Sequence, residues 1–251
     1  MKIKIFGKGE RLAVCADILE KSASLGKYSE ITVLPIPTSK DGVHLTGTET
    51  ALDDAVACLG EGSFVLGYGI PREYVERLED RGAAVCDVLG DERFLSKNAE
   101  LTALGTVGII LTSSKKSVSE LKVGIVGYGR IGKQLLRLLL FLGSKVRVFT
   151  RKNSTRIDLC SYGVDAQMSS DGDYGGLDFL INTAPERILD EGETERVLSN
   201  GRIIDLASGD IFPESSGVTK LGGIPGLMYP ISAGRIYVEA ALRYEGGEGS
   251  C

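Results

Sequence analysis

Along the chain the apolar positions switch repeatedly between short runs or alternation, the signature of strands, and the three-and-four spacing of helices. Lys2 to Phe6 alternates as a strand, Arg11 to Glu20 has helical spacing, and Ile31 to Leu34 is a second strand. Helices are expected over Leu52 to Leu59 and over Pro71 to Arg81, the latter with proline at its first position; Phe64 to Gly67 and Ala83 to Val88 are strands. A longer helix is predicted from Ser96 to Thr112, capped by Ser96. Strands follow at Val123 to Val126, Lys145 to Phe149, Asp165 to Gln167, Phe179 to Asn182 and Arg202 to Leu206, then a strand-like run from Gly223 to Met228. A last helix, Ser232 to Tyr244, is capped by Ser232 and carries Arg235 in its first turn. Such alternation implies an α/β protein with two doubly wound parallel sheets. The expected divisions are 1–95, a helix and linker at 96–120, a nucleotide domain at 121–231, and a helix and disordered tail at 232–251.

The most informative stretch is Leu121 to Lys152, strand, glycine turn, helix and strand in one unit. Gly127, Gly129 and Gly132 fall at G-x-G-x-x-G spacing. Gly127 would permit the tight turn, Gly129 would let a pyrophosphate approach the backbone, and Gly132 would let the helix pack closely on the strand. The helix N-terminus would face the phosphates with free N–H groups. At the end of the second strand an NAD site usually places Asp or Glu, yet the residues here are Thr150, Arg151, Lys152, Asn153 and Ser154, with no acid until Asp158. NADP is therefore the expected cofactor, with NAD the alternative: Arg151 and Lys152 on the 2′-phosphate, Thr150 or Ser154 as hydroxyl donor. Thr183, Ala184 and Pro185, just past another strand, would face the nicotinamide half.

Composition narrows the class. With 251 residues, 43% of them hydrophobic, the chain can bury two modest cores. A net charge of −5 without a basic block argues against nucleic acid and anionic membrane as partners, and no apolar run is long enough to cross a bilayer. The N-terminus reads as a strand, so a cytoplasmic protein is expected. Five scattered cysteines and a single histidine, His44, make a metal site improbable and leave relay chemistry only His44 to use. The loop Pro35 to Gly47 follows a strand end, where open sheets place ligands, which makes Thr38, Ser39 and Lys40 site candidates.

Several stretches resemble one family, the dipicolinate synthase A proteins, and less closely the NAD(P)-dependent 2-hydroxyacid dehydrogenases. They are LPIPTSKDG at 34–42, LGYGI at 66–70, NAELTALGT at 98–106, VGIVGYGRIGK at 123–133, INTAPERIL at 181–189, IIDLASG at 203–209 and IPGLMYPISAGRI at 224–236. The resemblance implies a flavodoxin-like or Rossmann-like N-terminal domain joined to an NADP-binding Rossmann domain. It also implies oxidation of a dihydrodipicolinate-type cyclic dicarboxylate during sporulation, in a homo-oligomer working beside a flavoprotein-like B partner. Carried onto matching positions, Gly127, Tyr128, Gly129, Arg130, Ile131 and Gly132 would hold the cofactor, with Thr183, Ala184 and Pro185 beneath it. Asn98, Thr102, Ser208, Gly226, Ala233 and Gly234 would surround the substrate. Two departures stand out: Leu104 occupies the family's usual acid position, and Phe6 to Gly9 replaces an early G-G-D turn in a shorter N-terminal domain. A ring dicarboxylate needs cations, for which Arg93, Lys97, Arg235 and Lys40 are candidates, while Glu92, Glu100 or Ser208 would serve catalysis. A non-catalytic NADP-binding redox sensor and a diverged 2-hydroxyacid dehydrogenase are the alternatives.

Overall fold

The structure, a computed structural model, describes residues 2–22, 25–207, 212 and 217–247. It divides into two compact units, Met1–Asn98 with Pro225–Cys251, and Ala99–Ile224.

Unit 1 holds four parallel strands, β1 (Lys2–Ile5), β2 (Glu30–Val33), β3 (Ser63–Gly67) and β4 (Ala84–Asp87), in the order β1-β2-β3-β4 without a reversal. Helices α1 (Glu10–Glu20), α2 (Leu52–Val56) and α3 (Arg72–Asp80) lie between them. Successive residues of β3 point to opposite faces, and each face is covered: Val65 joins Leu52, Val56, Tyr74 and Leu78 of α2 and α3, while Phe64 meets Tyr28 and Tyr244. This is why β3 reads as a continuous apolar run and not as an alternation.

Helix α4 (Glu92–Ser113) runs from unit 1 into unit 2, and it begins four residues earlier than its sequence suggests. Asp91, not Ser96, caps it: the Asp91 carboxylate accepts from the Phe94 amide at 2.9 Å, and Ser96 lies inside the helix. Unit 2 then contributes β5 (Lys122–Val126), α5 (Arg130–Phe141), β6 (Lys145–Thr150), α6 (Asn153–Ser161), β7 (Asp165–Met168), β8 (Phe179–Asn182), α7 (Glu191–Leu198), β9 (Arg202–Asp205) and β10 (Val218–Lys220). The six strands are parallel and ordered β10-β9-β8-β5-β6-β7, so the order reverses beside β5, the doubly wound arrangement. The helix α5 stripe Leu135, Leu136 and Leu139 packs on Val123, Ile125, Val146 and Val148.

The strand-like run Gly223 to Met228 is instead a short helix, α8 (Ile224–Met228), and the edge strand is β10. A brief apolar run does not distinguish strand from buried helix, and Pro225 suits a first helical turn. The last helix, α9 (Pro230–Glu245), starts at Pro230, so Ser232 is not its cap and Arg235 sits exposed beyond the first turn. Helix α9 lies against α1 within unit 1. A Cβ on Gly234 would stand 2.7 Å from the Arg11 carbonyl oxygen and 2.8 Å from Val14, so only glycine allows this approach. Tyr237, wholly buried, donates to the Leu34 carbonyl at 3.2 Å, and Arg243 pairs with Asp91 at 2.5 Å. Among the described residues no helix is long and apolar enough to cross a membrane.

Candidate functional site

The glycine turn sits between β5 and α5, at the carboxyl end of the central strand of unit 2, and the structure gives its three glycines different tasks. Gly127 has φ +94°, a left-handed conformation, and a side chain there would come within 2.6 Å of the Thr183 hydroxyl. A Cβ on Gly132 would stand 2.2 Å from the Gly127 carbonyl oxygen, so the helix could not start where it does with any other residue. A Cβ on Gly129 would meet nothing within 4 Å. The absence of a side chain at Gly129 thus serves no internal packing; it leaves open space at the N-cap of α5, where the first N–H groups lack partners in the helix. These residues fit a dinucleotide pyrophosphate. Tyr128 and Ile131 are partly buried against the core of unit 2, Lys133 lies over the Tyr128 ring at 5.6 Å, and Arg130 is exposed.

Two strand ends flank this turn. After β8, the Thr183 amide and hydroxyl both donate to the Val126 carbonyl at 2.9 Å, which pins that loop to the end of β5. Asn182 supports it from below: its amide donates to Asp205 at 2.8 Å and to the Ala184 carbonyl at 3.1 Å, and its oxygen accepts from the Ala184 amide. Pro185 is exposed beyond it. After β6, Thr150 is buried and its hydroxyl oxygen accepts from the Lys152 amide at 3.2 Å, shaping the turn into α6. Arg151, Lys152 and Ser154 are exposed there, at the start of a helix that the polar sequence had hidden. The acid absent from this loop in sequence arrives from across the turn: Arg151 donates to Glu186, which follows Pro185. Both members are well exposed, so the pair is worth about 0–1 kcal/mol.

The residues expected around a substrate fare unevenly. Thr38 is buried and its hydroxyl accepts from the Tyr68 amide at 2.9 Å, fastening the Pro35 to Gly47 loop to the end of β3. Ser39 donates to Asp41 at 3.1 Å and accepts from the Gly42 amide, while His44 bonds the other Asp41 oxygen at 3.0 Å; these groups build a turn. Hydrogen bonds from the His44 and Val43 amides and the His44 ring hold the Asp41 carboxyl far below its ordinary value. Lys40 is exposed. Ala233 and Gly234 are both buried on α9, and Gly234 packs against Arg11 and Val14 of α1. On α4, Glu92, Arg93 and Glu100 are exposed and Thr102 is buried; Glu92 and Glu100 are two turns apart, about 12 Å along the axis, so they do not serve one reacting atom. Asn98 belongs to the same helix, half-buried. Ser208 lies outside the described residues, as does most of the predicted disordered tail. Sequence reasoning missed Arg11, whose guanidinium rests against Gly226, because its neighbour is more than 200 positions away. Among the described residues no group of three or more metal-ligating side chains comes together.

Residues 109–215 match the family model for the NAD binding domain of the D-isomer specific 2-hydroxyacid dehydrogenases. Over its whole length the chain is similar to the dipicolinate synthase A proteins. The Bacillus halodurans structure covers 97% of this chain and 97% of its own at 18% identity with a TM-score of 0.75. The Bacillus subtilis structure covers 99% and 96% at 18% identity with a TM-score of 0.73. Salmonella D-lactate dehydrogenase shares the fold more distantly, with a TM-score of 0.66 and 13% identity over 100% of this chain and 98% of that one. No curated protein matches the chain by sequence.

Proposed function

We propose that this chain is an NADP-dependent oxidoreductase of the dipicolinate synthase A type, oxidising a dihydrodipicolinate-like cyclic dicarboxylate in the cytoplasm of a sporulating cell. The open space at Gly129, framed by Gly127 and Gly132, is the observation that carries it. When bound, the coenzyme supplies hydride acceptance. The protein's share is binding and orientation. The first amides of α5 would take the pyrophosphate, Arg151, Lys152 and Ser154 the 2′-phosphate, and the Thr183 to Pro185 shelf would support the nicotinamide half. Either Glu92 or Glu100, and Ser208, are the proposed proton-handling groups, and Asn98, Thr102, Arg93 and Arg235 the proposed substrate contacts. A B-type flavoprotein partner and a homo-oligomeric state belong to the same proposal.

Titration of NADPH and NADH at fixed salt tests it. NADPH should bind more tightly, and Arg151→Ala should weaken NADPH roughly tenfold while sparing NADH, as expected for loss of one charge-assisted phosphate contact. Tighter NADH in the unmodified chain would overturn the NADP assignment. A second reading, a sensor that binds NADP without turnover, is favoured by Leu104, 37% exposed where the family carries an acid. It predicts no change in coenzyme absorbance with any cyclic dicarboxylate.

A further inference from the structure

The first turn of α1 carries a side chain that nothing among the described residues of unit 1 explains. Arg11 follows β1 and the Gly7 to Gly9 turn, at the carboxyl end of a parallel sheet, where open α/β folds place ligands. Its Nε is shut off from water and donates to no group, and no ion pair forms with its guanidinium, among the described residues. Other shielded arginines behave differently. Arg243 reaches Asp91 at 2.5 Å and Arg147 reaches Asp165 at 2.7 Å. Around Arg11 the ionisable neighbours are Tyr237 and Cys15, both kept neutral, since burial pushes the phenol well up and the thiol up to about 12. Burial also lowers the pKa of Arg11 itself, a sign that its charge is poorly compensated.

The seat of this charge is shaped for it. A Cβ on Gly226 of α8 would stand 3.1 Å from Arg11 Nε, 3.2 Å from Cζ and 3.3 Å from Nη2, so the planar fork lies on bare backbone. Arg11 as a whole keeps partial exposure, which leaves an approach for an anion. A guanidinium fork matches the two oxygens of a carboxylate, and a shielded charge without a partner is costly until one arrives.

We infer that Arg11, seated on Gly226, is a binding residue for a carboxylate group of a small acid. This deepens the function proposed above, on which the choice of a ring dicarboxylate rests. Gly226 then acts by holding the fork and not by touching the ligand.

Thermal melting and calorimetry of the full chain, with pyridine-2,6-dicarboxylate, its neutral diamide and inorganic phosphate as probes, test the inference. The dicarboxylate should raise the melting temperature and the diamide should not. Arg11→Met should weaken the dicarboxylate roughly thirtyfold or more, the loss expected on truncating one side of a shielded charge pair, while melting without ligand holds or rises. If the methionine variant does not fold, Arg11→Lys, which keeps charge and loses the fork, should give a smaller loss in the same direction. Equal dicarboxylate affinity in wild type and variant, no dicarboxylate binding by wild type, or Arg11-dependent uptake of phosphate alone would each overturn it. Coenzyme titration on the same samples separates the two readings. NADPH uptake with Arg11-independent dicarboxylate binding removes only this inference, and Arg11-dependent binding by a chain that takes up no coenzyme removes only the oxidoreductase.

Discussion

Replacing Gly129 and Gly132 by alanine separates packing from ligand binding within four residues. At Gly132 the added methyl would sit 2.2 Å from the Gly127 carbonyl oxygen and 3.1 Å from its carbon, backbone atoms that cannot rotate aside. Overpacking of this kind costs about 1–3 kcal/mol. At about 2–4 °C per kcal/mol for a chain of this size, the melting temperature should fall by roughly 2–12 °C. At Gly129 the backbone, φ −85° and ψ −160°, suits alanine, and the methyl meets nothing within 4 Å. Melting should then stay put or rise slightly, because alanine restricts the unfolded chain by about 0.4–1 kcal/mol more than glycine. Its methyl would, however, occupy the space into which a pyrophosphate must come, so coenzyme affinity should drop about tenfold or more, about 1.4 kcal/mol in binding free energy. Scanning calorimetry and fluorescence titration with NADPH read the two effects independently. Wild-type affinity in Gly129→Ala would place the phosphates somewhere other than this turn, and unchanged melting in Gly132→Ala would refute the close-packing argument.

Other positions give equally direct tests. Asp91→Asn should cost about 3 kcal/mol at neutral pH, because Arg243, 15% exposed, loses its carboxylate; denaturant melts measure this. Burial alone would raise the Asp91 carboxyl, but bonds from the Phe94 amide and Arg243 hold it net below its ordinary value. Its stabilising share is therefore complete above about pH 4, the unfolded value, and lost as pH falls through the folded one; the asparagine variant should show a shallower acid limb. Gly234→Ala should destabilise by about 1–3 kcal/mol through its clash with the Arg11 carbonyl and Val14, visible as a lower melting temperature. A thiol reagent followed by peptide mapping should label exposed Cys58 and Cys160 and spare Cys15, which is buried and has its thiol pushed up to about 12.

The parts of this molecule that were legible in sequence are those fixed by local rules. The unit from β5 to β6 could be read because each glycine answers to a backbone constraint and the helix after it has a strong apolar stripe. Helix α6 was hidden because nearly all of its residues are polar or exposed, leaving Leu159 as its buried anchor. The start of α4 was misplaced because Ser96 and Asp91 are both good caps, and only the Arg243 partner, far along the chain, favours the aspartate. The same distance concealed Glu186 beside Arg151 and Gly226 beneath Arg11. Spacing rules see what a residue's sequence neighbours demand; they are blind to partners delivered by topology.

Helix α9 closes unit 1 from the far end of the chain, whereas unit 2 is an uninterrupted segment. On the ribosome, unit 2 therefore emerges whole and can fold at once. The four strands made earlier must wait for α9, roughly ten to thirty seconds at 5–20 residues per second, with Phe64 and Leu34 short of their covering tyrosines. For that interval the nascent N-terminal half is the segment most in need of a chaperone.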